Sequence, residues 1–150
     1  MKTVVERINH WINVLPKEFK LMSEEEASNR PLPNKWSKKE ILGHLCDSTI
    51  NNMERFIKIQ YEEEVYVIQT YNQEQWVTLQ NYQALPVNEI IDLFQALNKQ
   101  IVHIVNNIPD EKLMNLCDIG DNELKTLKWL IQDYVDHMEH HINQIKNRDE

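Results

Sequence analysis

Residues 36–56, WSKKEILGHLCDSTINNMERF, decide how the rest of the chain is read. Ser37 followed three residues later by Glu40 is a capping box. The serine hydroxyl accepts from the Glu40 amide, and the glutamate carboxylate accepts from the Ser37 amide. Trp36 before the cap and Ile41 at the fourth helical position have the spacing of a hydrophobic staple. A helix therefore starts here, and nothing in the sequence breaks it before about Ile59 or Tyr61. At about 100° per residue, Ile41, Leu45, Asn52, Phe56 and Ile59 share a core face. His44, Asp47, Ser48, Asn51 and Arg55 form a continuous stripe beside it, at steps of three or four residues. A solvated stripe is usually rich in Lys and Glu, whereas these groups have defined hydrogen-bonding shapes. Against a bundle interior each needs a partner, since an unpaired buried polar group costs about 1–3 kcal/mol. Gly43 costs this helix about 1 kcal/mol relative to alanine. That cost is offset if another backbone, such as that of a second subunit, comes close there.

Outward from this helix the pattern repeats. Residues 2–14 place Val4, Val5, Ile8, Trp11 and Ile12 at helical spacing, with Leu15 next, and Pro16 ends or kinks the run. Residues 17–27 add a further turn or two. NRPLPNKW is a connection, because prolines two positions apart cannot sit in a helix interior. Pro86 is placed for a first helical turn. Ile90, Ile91, Phe94, Leu97, Ile101, Ile104 and Val105 then line one face until Pro109 closes it. A helical turn over 110–116 and a Gly120-Asp121-Asn122 turn lead to a last helix from about Thr126 to Asn147. Residues 62–82 read as a loop with short helical pieces. Within them VYVIQTY has strand composition but no evident partner strand. Four amphipathic helices of about 20 residues, each roughly 30 Å long, bury their stripes best as an all-α four-helix bundle. The expectation is one domain over residues 1–150.

Composition narrows the function classes. The formal charge of −8 disfavours phosphate backbones and anionic membranes, so neither nucleic acid nor membrane is an expected partner. Two glycines and five prolines argue against a turn-rich sheet protein. Cys46 and Cys117 form no CxxC pattern, and a chain of this size needs no disulfide framework, which fits a reducing cytoplasm. The N-terminal MKTVVERINHW has no apolar h-region or cleavage site.

The last helix carries DYVDHMEHHINQI over residues 133–145, with three of the six histidines. Its core face is Leu127, Leu130, Ile131, Tyr134, Met138, Ile142 and Ile145. His137 and His141 stack four residues apart at the border of that face, whereas His140 points outward with Asp133 and Asp136. With His44 arriving from the second long helix, His137 and His141 provide three imidazoles for one divalent ion, leaving a coordination position open. Zinc is the default, and imidazole also suits nickel and iron. Asp47 or Asn51 is placed to orient a ligand, and Arg55 to clamp an anion. The alternative is that His137 and His141 are half-exposed and cap carbonyls while His44 is a satisfied core residue. His10, His103 and Cys46 read as structural or solvated groups.

The GH-x-x-D-S segment, the TYNQEQWV stretch and the late H-x-x-x-H together resemble the DinB-like superfamily of four-helix-bundle metalloproteins. The likeness is greatest to the branch with bacillithiol S-transferase-type proteins, and it covers about residues 34–145. The resemblance implies an up-down-down-up bundle with a long crossover and a dimer. It also implies a divalent metal, zinc or nickel, on His44, His137 and His141. Relatives often carry an aromatic-His-Pro segment before the last helix, where this chain reads LCDIGDNELKTLKW. The function expected is a metal-dependent transferase joining a low-molecular-weight thiol to an electrophilic small molecule. Asp47, Asn51 and Arg55 would position ligands, and residues 71–82 would form a lid. A metal-dependent hydrolase and a non-catalytic, stress-related metal-binding bundle are the alternatives.

Overall fold

The computed structural model describes residues 1–147. Four long helices make the bundle: α1 (Lys2–Lys20), α3 (Lys38–Tyr61), α5 (Val87–Asn106) and α6 (Leu127–Asn147). Two short helices, α2 (Glu24–Ser28) and α4 (Gln73–Gln80), lie in the connections, with 3-10 turns at Tyr82–Ala84 and Asp110–Met114. The capping box at Ser37 is present in both halves, with the Ser37 hydroxyl accepting from the Glu40 amide and the Glu40 carboxylate from the Ser37 amide.

Contacts between the helices give their directions. Cys46 reaches the Ile90 carbonyl, and Asn98 donates to Thr49, so α3 and α5 run parallel. His44 lies against His141 while Thr49 meets Tyr134, so α6 runs opposite to α3. Arg7 binds Asp136 and Trp11 binds Glu139, which sets α1 parallel to α6. The order is up-down-down-up. Two consecutive parallel helices require the chain to return along the bundle, and residues 62–86 form this long crossover. Apolar side chains from all four helices, among them Ile8, Leu45, Phe94 and Ile131, fill the interior.

The crossover lies along α3, and this explains why every residue from Lys39 to Thr49 is buried. A core face with a polar stripe beside it was expected on that helix; the crossover is a second layer that covers the polar side. Arg55 donates to the Gln69 carbonyl, Tyr82 to Asp47, and Ser37 to the Gln83 amide oxygen. The polar stripe thus finds much of its partnership in the crossover.

Three sequence expectations are corrected. Residues Tyr66–Val67 do have a strand partner: they form β1, paired parallel with β2 (Leu116–Asp118), which pairs antiparallel with β3 (Leu124–Thr126). Pro16 does not end the helix but sits inside α1. A proline there leaves the carbonyl four residues earlier without its amide, and the Gln95 side chain on α5 donates to that Ile12 carbonyl at 3.1 Å. Gly43 is approached by the Tyr82 ring rather than by a backbone, and a Cβ built there would clash with the ring. No helix among the described residues is long and apolar enough to cross a membrane.

Candidate metal centre

The register of α6 against α3 places the histidines. Tyr134, buried in the core, has its hydroxyl 2.7 Å from that of Thr49, and it also donates to Asn98. One helical turn further along α6 comes His137, and another turn brings His141, both facing back towards His44 on the antiparallel helix. Ring centroids lie 5.5 Å apart for His44–His137, 4.7 Å for His44–His141 and 4.5 Å for His137–His141. One ligand atom from each of the three falls within 4.8 Å of the others. His44 is fully buried, while the two α6 histidines are half-buried.

Whether these residues suit a cation is tested by their hydrogen bonds. Both ring nitrogens of His44 are buried without a partner among the described residues. A neutral imidazole always carries one N–H and one lone pair, so a satisfied core histidine would not look like this. His141 Nδ1 is 2.9 Å from Gln144 Oε1, and in the tautomer that donates to this oxygen Nε2 is left with a lone pair. That lone pair faces His137 Nε2 at 3.1 Å. Two bonds of 2.0–2.1 Å at a tetrahedral angle span roughly 3.3 Å, so the spacing fits a shared ion. Burial, followed by the charges of the neighbouring imidazoles, pushes His44 down to about 3 and His137 down to about 4. Burial also lowers His141. All three therefore present neutral rings near pH 7, the form that ligates a metal. The donor set fits a divalent cation.

The other stripe residues separate. Asp47 is fully buried, with Oδ1 accepting from the Tyr82 hydroxyl at 2.7 Å and from Gln80, while Oδ2 has no partner among the described residues. Burial raises this carboxyl to about 6 against the pull of those two donors. Asn51 turns its amide back onto the Asp47 carbonyl and reaches neither the histidines nor the adjacent cavity. Arg55 does line that cavity, a space of about 260 Å³ between α3, α6 and the crossover. Ser48, Asn52, Tyr71, Asp133 and His137 share its wall, so the cavity reaches one member of the triad. Tyr82, at one end of the expected lid, is buried beneath Gly43 and bonded to Asp47.

Two features of the site escaped the sequence reading. The Trp36 ring lies 4.9 Å from that of His44 and covers it, although its position before a cap suggested only a staple. Asp133 reads as outward on a helical wheel, yet it rims the cavity because the crossover approaches that side of α6. His10, His103 and His140 are exposed, and Cys46 is a buried thiol.

Known proteins share this fold. The YfiT structure from Bacillus subtilis, described as "a probable metal-dependent hydrolase with an unusual four-helix bundle topology", superposes with a TM-score of 0.86. It shares 21% identity, over 97% of this chain and 83% of that one. A mycothiol-dependent maleylpyruvate isomerase superposes with a TM-score of 0.73 at 8% identity, over 94% of this chain and 59% of that one. In sequence, a "putative metal-dependent hydrolase" of Oceanobacillus iheyensis is 24% identical over 152 residues, 97% of this chain and 87% of the relative. One of the same description from Halalkalibacterium halodurans is 24% identical over 125 residues, 83% of this chain and 72% of the relative. The family model matched spans residues 8–145 and takes in both helices that bear the triad; the chain belongs to the DinB superfamily.

Proposed function

We propose that this protein is a metal-dependent enzyme that holds a divalent cation on His44, His137 and His141 and joins a low-molecular-weight thiol to an electrophilic small molecule. The observation that carries the reading is the convergence of three neutral imidazoles, one with both nitrogens orphaned, beside a polar cavity. A set of three histidines leaves coordination positions free, as catalytic sites need and closed structural sites do not. When bound, a divalent cation acts there as a Lewis acid and favours the thiolate over the thiol of a ligand that reaches it. The protein's own groups do the rest. Burial keeps the imidazoles unprotonated, and Trp36 shields His44 from solvent. Arg55, Ser48 and Tyr71 orient what enters the cavity, while Asp47 and Asn51 act at one remove by holding the crossover and the helix turn above it. In the transfer a sulfur–carbon bond forms, the bond to the leaving group breaks with its electron pair, and the thiol proton passes to the leaving group or solvent.

The names of the sequence relatives favour a second reading, hydrolysis, in which water replaces the thiol as nucleophile. Elemental analysis of untagged protein tests the common premise. Wild type is expected to carry stoichiometric zinc or nickel, and His44→Ala to lose both metal and turnover. Full metal content in His44→Ala would overturn the assignment. Electrophile consumption measured with and without added thiol then separates the two chemistries, since turnover indifferent to thiol replaces transfer by hydrolysis.

A further inference from the structure

Arg55 differs from the other arginines of the described residues. Arg7 forks onto Asp136 and Glu139, and Arg30 onto Glu40. Arg55 has no carboxylate in ion-pair range among the described residues, in a chain with 24 acidic groups. Its hydrogen bond goes to the Gln69 carbonyl at 2.8 Å, which leaves most of its five N–H donors uncommitted. The guanidinium is half-buried on the wall of the cavity that also holds His137. Ser48, Asn52 and Tyr71 add hydroxyl and amide groups to the same wall. A desolvated cation facing a polar cavity calls for an anion, and the planar fork of a guanidinium matches a carboxylate in two bonds.

We propose that Arg55 anchors the carboxylate of a small thiol ligand, which spans the cavity with its sulfur towards His137 and the histidine cluster. The identity of the sulfur end rests on the function proposed above; the carboxylate end rests on Arg55 and the cavity. Size and charge narrow the ligand further. A space of about 260 Å³ lies below the roughly 300–1,000 Å³ of pockets for drug-sized ligands. Asp133 on the cavity rim repels a dianion more than a monoanion, which favours a single carboxylate over a phosphate.

Calorimetric titration of 3-mercaptopropionate and 3-mercaptopropan-1-ol into the nickel-loaded protein tests this, because the two differ only in the anionic end. Wild type is expected to bind the acid about tenfold or more tightly than the alcohol. Arg55→Gln should lose that preference while keeping its affinity for the alcohol, and Arg55→Lys should restore part of it. Loss of the Gln69 bond alone would weaken both ligands together and would overturn the proposal. Equal affinities in wild type would do so without recourse to any variant. Inorganic phosphate competing better than propionate would overturn the choice of carboxylate. The same comparison with propionate and propan-1-ol on metal-free protein separates the two readings. Arg55-dependent preference for propionate there supports the anchor even if no metal is retained. Metal-loaded protein indifferent to the carboxylate retires the anchor and leaves the metal assignment standing.

Discussion

At Gly43 the helix gives up about 1 kcal/mol of propensity so that the Tyr82 ring can pack against its backbone. The ring is fully buried, and its hydroxyl is fixed on Asp47, so it has nowhere to retreat. Gly43→Ala should therefore destabilise the protein by about 1–3 kcal/mol, the usual cost of overpacking, despite the better helix former. Urea unfolding checks this, with a control built in: in a Tyr82→Ala background the same change should cost nothing or stabilise. Equal destabilisation in both backgrounds would show that the ring is not the cause. The sequence reveals that something approaches Gly43 but not what, because the approaching residue lies far along the chain. Pro16 teaches the same lesson. Its ring signals a broken helix, and only the distant Gln95 side chain, supplying a donor to Ile12, lets the helix continue.

At the scale of elements, α3 is the best-signalled helix and also the one whose surroundings were least legible. Its start follows from local chemistry that Ser37 and Glu40 complete between themselves. The Glu40 carboxyl would be raised by burial, but hydrogen bonds from Arg30 and from the Ser37 amide overcome this and hold it below its ordinary 4.5. A carboxyl lowered on folding stabilises above its unfolded value and loses that contribution as pH falls through its folded value. Glu40→Gln should thus cost about 1–2 kcal/mol at pH 7, and its deficit relative to wild type should shrink below about pH 4.5. Chemical denaturation across pH measures the gap; a deficit constant from pH 7 to pH 3 would remove the ionised carboxylate from the account. What α3 did not reveal was its cover. The apolar period gives one buried face and the polar stripe a second that needs partners, but nothing in the sequence marks Gln69, Gln80 and Tyr82 in the crossover as those partners. β1 was illegible for a related reason. Two residues cannot announce a strand, and their partner at Cys117–Asp118 is separated from them in the chain by the whole of α4, α5 and their connections.

For the molecule as a whole, a four-helix bundle was legible because each apolar stripe demands a neighbour, whereas the up-down-down-up order was implied by the family resemblance and not by the stripes. His44 and the α6 pair come from distant parts of the chain and converge only when α3 and α6 lie antiparallel in register, held by Tyr134 against Thr49. An unfolded chain has no such triad, so a divalent ion held there would bind the folded state preferentially and stabilise it by mass action. At a free ion concentration 100-fold above Kd the gain is about 2.7 kcal/mol. For a chain of this length that is a rise in Tm of roughly 5–10 °C. Thermal melts with zinc or nickel, and with chelator added back, measure it. His44→Ala and His141→Ala should each abolish most of the rise, since each leaves too few imidazoles to hold the ion across the two helices. His103→Ala should leave it intact, because His103 is exposed on α5, away from the cluster. An equal rise in His44→Ala would mean that the ion sits on the exposed face of α6, with His140 and its neighbours, and that the convergence of α3 and α6 has another purpose.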